Sequence, residues 1–427
     1  MAVDFWADWR ERGLVEQLTA PEGLAALLES GPVAFYCGFD PTADSLHVGH
    51  LLPLLVMRRL QRLGHRPVAL VGGATGMIGD PSGRSSERQL LTQDVLAANV
   101  AALRVQIARF VDLEGPGAAL VDNLSWMGEV RYLDWLRDVG KLFSVNAMIA
   151  RESVRRRLEE RDQGISYTEF SYMLLQAYDF LHLYERYGVR LQLGGGDQWG
   201  NIVAGIDLIR RKHGADTFGW TLPLVTTSAG EKFGKSAGNA VWLDAAKASP
   251  YAFYQFWMRT DDADVLRYLR LFTDLAGEEL VALEAAHAEA PHRREAHRAL
   301  ATEVTRLVHG SEGLARATLA TEVFFGRPFE GLGEAELLAV FADVPGIDVP
   351  RDRLIAGYPL VDALVEVGLF PSRGEARRRI QQGGVYINNV QAHDPARVLA
   401  LGDLATPGAL VLRAGKRAYA LVRLTGD

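Results

Sequence analysis

The chain has 427 residues, with 46 Lys and Arg against 53 Asp and Glu, a net charge of −7 and a single cysteine. Its length fits two to four domains at about 100–200 residues each, and 48% apolar with 23% charged residues exclude a disordered or fibrous chain. One cysteine excludes a disulfide framework and a Cys-rich zinc site. The sequence has no leader-like apolar segment in residues 1–20 and no run able to span a bilayer, so the cytoplasm is the default address.

The first half alternates short β-rich runs with helical patterns, as an open parallel sheet requires. Residues 33–39 read as a buried strand. Residues 49–63 read as a helix, with Pro53 in its first turn, where a missing N–H costs least. A second strand follows at 67–72, and further strands are predicted at 191–194 and 222–226. Between them, residues 89–187 read as mainly helical, most clearly 167–183. Residues 249–325 are helical and rich in Ala, Glu and Arg. Residues 326–359 carry several Gly and Pro and read as a linker. The tail, 360–427, holds nine basic against six acidic residues, a net of +3, which leaves −10 for the rest of the chain. The acidic average hides a basic end.

Four segments carry chemistry. In residues 36–50 a strand runs into a loop and then a helix, with His47 and His50 flanking Val48-Gly49. Helix N-termini favour phosphate, Gly49 allows close approach to the backbone, and His47 and Thr42 can donate to phosphate oxygens. Residues 72–84 hold five glycines in their first twelve positions, a density that predicts positive φ at several points around a ligand. The spacing is neither a P-loop nor a dinucleotide fingerprint. Asp80 is a candidate for an ammonium group, and Arg84 and Arg88 for phosphates. Tyr172, Gln176 and Asp179 share one helix face and form a polar wall in an otherwise apolar helix. After the next strand, Gly194-Gly195-Gly196-Asp197-Gln198 offers a turn whose Asp suits a ribose. Lys232-Phe233-Gly234-Lys235-Ser236 places two lysines on a Gly- and Ser-rich loop, a mobile cationic clamp for a polyphosphate. Each segment alone also suits an ordinary loop or core helix; their order together is far more specific.

In that order the chain resembles the class I aminoacyl-tRNA synthetases. Residues 47–50 resemble their HIGH signature and 232–236 their KMSKS signature, while 36–42, 72–80, 166–179 and 194–201 resemble the tyrosyl branch in bacteria. The resemblance implies an α/β fold: a Rossmann-like parallel-sheet catalytic domain (1–226) with a helical dimerisation insertion near 126–163, a mobile loop region (227–248), an α-helical anticodon-side domain (249–325), the linker (326–359) and a small α+β RNA-binding domain (360–427). It implies that Tyr36 and Asp179 bind the phenol hydroxyl of tyrosine, that Asp80, Tyr172 and Gln176 bind its ammonium group, and that Gln198 lies near its carboxylate. Asn123 and Gln192 would support that pocket. For ATP it implies Cys37, Gly38, Asp40, Gly49, His50, Gly194, Asp197 and Ser236, with Thr42, His47, Arg84, Arg88, Lys232 and Lys235 on the departing pyrophosphate. Cys37 would then be a thiol probe of the ATP site. Arg373, Arg377, Arg378 and Arg379 would contact tRNA phosphates. Phe233 and Gly234 depart from the generic signature, and Asn388-Asn389 stands where the tail's turn usually has Asn-Gly.

The implied chemistry needs no protein nucleophile, because the tyrosine carboxylate is already ionised and attacks the α-phosphate of ATP in line. The protein positions the reactants and stabilises charge. Mg²⁺ would ride with ATP rather than in a protein cage, and the partners would be tRNA, tyrosine, ATP and a second copy of the chain. Three alternatives remain: a tryptophanyl enzyme, a small-molecule nucleotidyltransferase sharing the H-x-G-H pattern, and a non-catalytic RNA-binding scaffold. Indole offers a donor but no hydroxyl, which argues against the first. The basic tail argues against the second, and the intact histidines and lysines against the third.

Overall fold

Six strands, β1 (Gln17–Leu18), β2 (Ala34–Phe39), β3 (Arg66–Val71), β4 (Ala119–Asp122), β5 (Val189–Gly195) and β6 (Phe218–Leu222), form one sheet in the order β1-β6-β5-β2-β3-β4. All neighbours are parallel except β1, which runs antiparallel to β6. The computed structural model describes residues 5–426 apart from 83–90, 152–153, 156–157, 159–164, 231–232, 237–238, 330, 343 and 416–417. β2, β3 and β6 are buried along nearly their whole length, as strands covered on both faces must be, and this explains why they are mostly apolar rather than alternating.

The chain steps from β2 to β3 and β4 on one side, then returns to β5 and β6 on the other. The order therefore reverses at β2, and a crevice opens at the carboxyl ends of β2 and β5. Three of the segments singled out from the sequence begin there. Residues 40–50 leave β2, residues 72–80 leave β3, and 194–198 close β5.

Two strands differ from expectation. β4 lies inside the stretch read as helical, because four residues are too few to show a period. The strand predicted at 222–226 ends at Leu222 instead. Pro223 has no N–H to give to a ladder, so pairing stops there.

The helix Leu51–Arg62 buries Leu51, Leu52, Leu54, Leu55, Val56, Met57 and Leu60, and Pro53 falls in its first turn as expected. The helix Tyr167–Tyr187 starts where the Ser166 side chain accepts from the Glu169 N–H and stops at Gly188, φ 65°. Its buried face carries Tyr172, Ala177, Asp179, Phe180 and Leu183.

The chain divides into two compact units, Met1–Asp244 with Asp261–Ala296, and Ala245–Thr260 with His297–Asp427. The helical block 249–325 is thus split rather than a domain of its own. Specific bonds hold its middle to the first unit. Arg12 donates to the carbonyls of Arg270, Thr273 and Leu275. Arg59 is buried and donates to Asp274 at 3.0 Å and to the Thr273 carbonyl at 2.6 Å. Also in the first unit, β7 (Lys235–Ser236) and β8 (Asn239–Ala240) form a small antiparallel hairpin.

In the second unit, β9 (Gly346–Pro350), β11 (Val385–Ile387), β12 (Val390–Ala392), β14 (Ala409–Ala414) and β15 (Ala418–Thr425) form a sheet in the order β12-β11-β14-β15-β9, while β10 (Tyr358–Pro359) pairs with β13 (Val398–Leu399). Residues 326–359 are therefore not a linker. They contain β9, which lies parallel to β15 from Gly346 to Pro350, and the helix Glu334–Val340. Phe329, Leu332, Leu337 and Phe341 share a core with Val323 of the helix Glu295–Phe324 and with Val411, Tyr419 and Leu421 of the sheet. The Gly and Pro residues that suggest a linker serve turns between short folded elements.

The Asn388-Asn389 turn has φ of 48° and 65°, positive at both central residues, as a two-residue hairpin between β11 and β12 requires. Asn supplies this without Gly and adds side-chain bonds. Asn388 accepts from the Val411 N–H at 2.9 Å, and Asn389 donates to the carbonyls of Val323 and Arg327, both at 2.8 Å.

Candidate active site

Asp179 sits on the buried face of the helix Tyr167–Tyr187, 2% exposed. Its two oxygens accept from Asn123 Nδ2 and Trp126 Nε1, both at 2.9 Å. Burial pushes its carboxyl up from 3.8 to about 7, against these two bonds, which favour the charged form. Beside it, Tyr36 on β2 is 1% exposed, and its hydroxyl has no partner among the described residues. Burial, then the Asp179 charge, drives its pKa well above 10, so it is a neutral donor. Gln192 pairs in register with Tyr36 on the adjoining strand, and its Oε1 is likewise buried without a partner among the described residues.

From this point a polar chain runs through the protein. Asn123 Nδ2 also donates to Thr75 Oγ1 at 3.1 Å; Thr75 donates to Asp40 at 2.9 Å, and Asp40 accepts from the Tyr172 hydroxyl at 3.0 Å. A second chain joins Asp80, Gln198, Asn201 and Gln176. Gln198 Nε2 donates to Asp80 at 2.7 Å, and Asn201 Nδ2 donates to Gln198 Oε1 at 3.2 Å and to Gln176 Oε1 at 3.0 Å. The residues expected around tyrosine, Tyr36, Asp80, Tyr172, Gln176, Asp179 and Gln198, thus fall into two hydrogen-bonded sets and one buried orphan hydroxyl. Thr75, Trp126 and Asn201 complete the sets, and sequence reasoning misses them as site residues. The signal that could find two of them is position: Trp126 and Thr75 follow the ends of β4 and β3, where parallel sheets bind ligands.

The glycine loop after β3 behaves differently from expectation. Of Gly72, Gly73, Gly76 and Gly79, only Gly79 has positive φ. Gly72 is required for another reason: a Cβ there would stand 2.3 Å from Asp40 Oδ1 and 2.2 Å from Thr75 Oγ1. The backbone makes room for the protein's own polar chain. Arg84 and Arg88 lie outside the described residues.

At the start of the helix Leu51–Arg62, the N–H of Gly49 donates to His47 Nδ1 at 3.0 Å, and the N–H of His47 donates to His50 Nδ1 at 3.2 Å. Both Nδ1 atoms therefore accept, which assigns the proton of each neutral ring to Nε2. Burial and the neighbouring His47 push the His50 imidazolium down, so His50 is a neutral donor. Thr42 and Gly49 are exposed. Gly38 is exposed on β2. Gly194 is buried at the end of β5, and Asp197 follows in the turn Gly196–Gln198. Glu16 lies near enough to Asp197 that their repulsion adds to burial in raising the Glu16 carboxyl. Cys37 requires a correction. It is 3% exposed, and burial pushes its thiol up to about 12, so it is too poor a nucleophile to report on the ATP site.

The loop bearing the lysines is pinned to the histidine segment by its backbone. Residues 46–48 pair with 241–243 through Val48 N–H to Val241 carbonyl at 2.9 Å and Leu243 N–H to Leu46 carbonyl at 2.8 Å. Val241 N–H also donates to the Gly234 carbonyl at 2.8 Å. Gly234 has φ of 85°, and a Cβ there would lie 2.6 Å from Val48 Cγ2. A serine is excluded on both counts. Phe233 is buried, with its ring 4.8 Å from that of Tyr268 and 5.3 Å from that of Phe272. The two departures from the generic signature thus anchor the loop. Lys232 lies outside the described residues. The backbones of Lys235 and Ser236 are in β7, but their side chains are outside the description.

In the second unit, Ser372 starts the helix Arg373–Gln381, its side chain accepting from the Glu375 N–H. Arg377, Arg378 and Arg379 are exposed on that helix and form no ion pair with a described residue. Arg373 is bound to Asp362 at 2.6 Å.

Comparison with known proteins gives the family. Residues 28–326 match the family described as tRNA synthetases class I (W and Y), and residues 336–422 match the tyrosine–tRNA ligase SYY-like C-terminal domain. The tyrosine–tRNA ligase of Roseiflexus castenholzii is 52% identical over 97% of this chain and 98% of its own. That of Geobacillus stearothermophilus is 50% identical over 99% and 100%. The chain belongs to the tyrosine–tRNA ligases. A truncated mitochondrial tyrosyl-tRNA synthetase from Aspergillus nidulans is 32% identical and superposes with a TM-score of 0.65, over 74% of this chain and 93% of that one. A tryptophanyl-tRNA synthetase from Encephalitozoon cuniculi, at 15% identity and TM-score 0.55, shares the fold of this ligase, whereas full-length identity lies with the tyrosine enzymes. The tryptophanyl and nucleotidyltransferase alternatives are not favoured.

Proposed function

We propose that the crevice at β2 and β5 activates tyrosine with ATP and then transfers it to the terminal ribose of tRNA. The observation that supports this most is the orphan Tyr36 hydroxyl beside the Asp179 carboxylate. A buried polar group without a partner costs about 1–3 kcal/mol. A phenol hydroxyl relieves it, accepting from Tyr36 and donating to Asp179. Phenylalanine leaves the Tyr36 hydroxyl unmet and covers the Asp179 carboxylate without donating to it, and an indole N–H offers Tyr36 nothing to donate to. Asp80, Tyr172 and Gln176 take the ammonium group, and Gln198 lies near the carboxylate.

ATP lies over Gly38, Gly49 and Gly194, with Asp40 and Asp197 towards its sugar. The Nε2 protons of His47 and His50, with Thr42, Arg84, Arg88, Lys232 and Lys235, meet phosphate oxygens as pyrophosphate leaves. Groups that bind most tightly in the transition state raise the rate rather than ground-state affinity. Mg²⁺ comes with the ATP phosphates. Among the described residues no helix is long and apolar enough to cross a membrane, and we place the ligase in the cytoplasm. Pyrophosphate exchange into ATP, run with each amino acid in turn, tests the assignment. Exchange is expected with tyrosine alone; exchange with tryptophan instead overturns it.

Residues 124–167 leave Leu124, Tyr132, Leu133, Val145, Ile149 and Tyr167 exposed by 41–77%, a density of apolar side chains that suits a subunit contact. We place a homodimer interface there. Leu133→Asp is expected to halve the mass seen in sedimentation; an unchanged mass refutes the placement.

The second unit binds tRNA through the arginine helix. Cutting the chain at 360, the boundary the composition suggests, would strip β15 and β14 from β9 and from Phe341, so point changes are the cleaner test. Replacing Arg377, Arg378 and Arg379 by Ala should flatten the dependence of log affinity for tRNA on log salt by roughly 2 to 3 and leave pyrophosphate exchange intact. An unchanged slope would mean that these arginines do not touch phosphate.

A further inference from the structure

Trp126 is held from two directions by one helix. Its indole edge donates to Asp179 at 2.9 Å, and its face stacks on the ring of His182, with centroids 4.3 Å apart and planes 13° from parallel. Asp179 and His182 are three residues apart on the helix Tyr167–Tyr187, hence on one face, a turn apart. They grip a single ring between them. Trp126 follows β4 within the four-residue helix Leu124–Met127 and is buried in the core of the first unit; the His182 stack is what sets the tilt of its ring face. Leu124 at the start of that element is 41% exposed, and His182 is half-buried. Burial first and Arg186 second push the His182 imidazolium down, with Glu185 opposing. The stack is therefore ring on ring rather than a cation on a face.

We propose that His182 is a positioning residue for substrate selection: its stack on Trp126 fixes the indole N–H on Asp179 and so aims the carboxylate at the substrate hydroxyl. This rests on the reading of Asp179 as the acceptor for the tyrosine phenol. Among the described residues Asp179 has two donors, and the one from Asn123 is shared with the Thr75 chain. The Trp126 donor belongs to Asp179 alone. When the ring is free to tilt, that bond loosens and the carboxylate loses one of its two fixed directions. The ring contact of His182 is with Trp126, whose N–H is on Asp179, so the effect is expected on the amino acid.

The test is pyrophosphate exchange with His182→Ala, His182→Phe and Asp179→Ala, each measured for tyrosine and phenylalanine. His182→Ala is expected to raise KM for tyrosine and lower discrimination against phenylalanine by a factor of about 2 to 10, the size of one aromatic contact. Its kcat at saturating tyrosine and its KM for ATP should stay at wild-type values, which also shows that the variant folds. His182→Phe keeps a flat ring and should restore both tyrosine parameters. Unchanged discrimination in His182→Ala, or equal damage in His182→Phe, overturns the proposal while Asp179→Ala still loses selectivity. If Asp179→Ala keeps its selectivity, the reading of Asp179 itself is what fails.

Discussion

Replacing Asp179 by Ala is expected to remove most of the preference for tyrosine over phenylalanine. Sites built to hydrogen-bond a substrate hydroxyl reject the analogue lacking it by about 10⁴–10⁵, a range to which tyrosyl enzymes themselves contributed. In this chain the penalty has an address. Phenylalanine would leave the Tyr36 hydroxyl without the partner that no described residue supplies, and would cover a carboxylate that already sits at 2% exposure. The ratio of kcat/KM for the two amino acids in pyrophosphate exchange measures it, and a ratio preserved in Asp179→Ala refutes the assigned role. The same residue predicts a pH effect on stability. The folded carboxyl titrates near 7, and its ordinary value is 3.8. A group raised in the folded state contributes stability below its unfolded pKa and loses it as pH rises through the folded one. The free wild-type protein should therefore lose stability relative to Asp179→Asn between about pH 4 and pH 7, on the order of 4 kcal/mol across the range. Urea unfolding of both at pH 5 and pH 8 reads the difference, and parallel curves would show that Asp179 is ionised at an ordinary pKa.

The second large effect is expected at the loop. Lys235→Ala should lower kcat for adenylate formation by about 10²–10³, the usual loss for one donor aimed at transition-state charge, with KM for tyrosine nearly unchanged. The backbone explains why a loop can carry such a residue. Gly234, just before Lys235, is bonded to Val241 and packed on Val48, and Phe233 is set between Tyr268 and Phe272. The backbone next to the lysine is thereby tied to the histidine segment. If Lys235→Ala instead raises KM for tyrosine and spares kcat, the loop belongs to amino-acid binding and the phosphate role is wrong.

Much of the candidate site is legible in the sequence because its residues lie in local words. His47 and His50, the glycine loop, Tyr172 with Gln176 and Asp179, and the turn ending in Gln198 each sit within a few residues of a strand or helix end. Local geometry, helix periodicity and the chemistry of phosphate at helix starts are enough to single them out. The parallel sheet is legible for the same reason, since β2 and β3 are mostly apolar runs.

What the linear order could not carry is pairing across distance. β4 is too short to have a period, and its place beside β3 is what makes it a strand. The linker boundary fails because Gly and Pro mark turns without saying whether the pieces between them find partners; β9 finds β15 at the far end of the chain. Gly72 reads as a flexible ligand loop from sequence alone, and the folded chain shows Asp40 and Thr75 filling the space of its side chain. Cys37 is named by its neighbours in sequence but silenced by burial in the sheet. The order of residues tells which chemical groups this protein owns and how they follow one another. Their states come from the fold: which carboxylate is raised, which histidine nitrogen carries the proton, which hydroxyl is buried without a partner among the described residues. Those depend on desolvation and on partners brought from elsewhere in the chain, and neither is a property of a local stretch of residues.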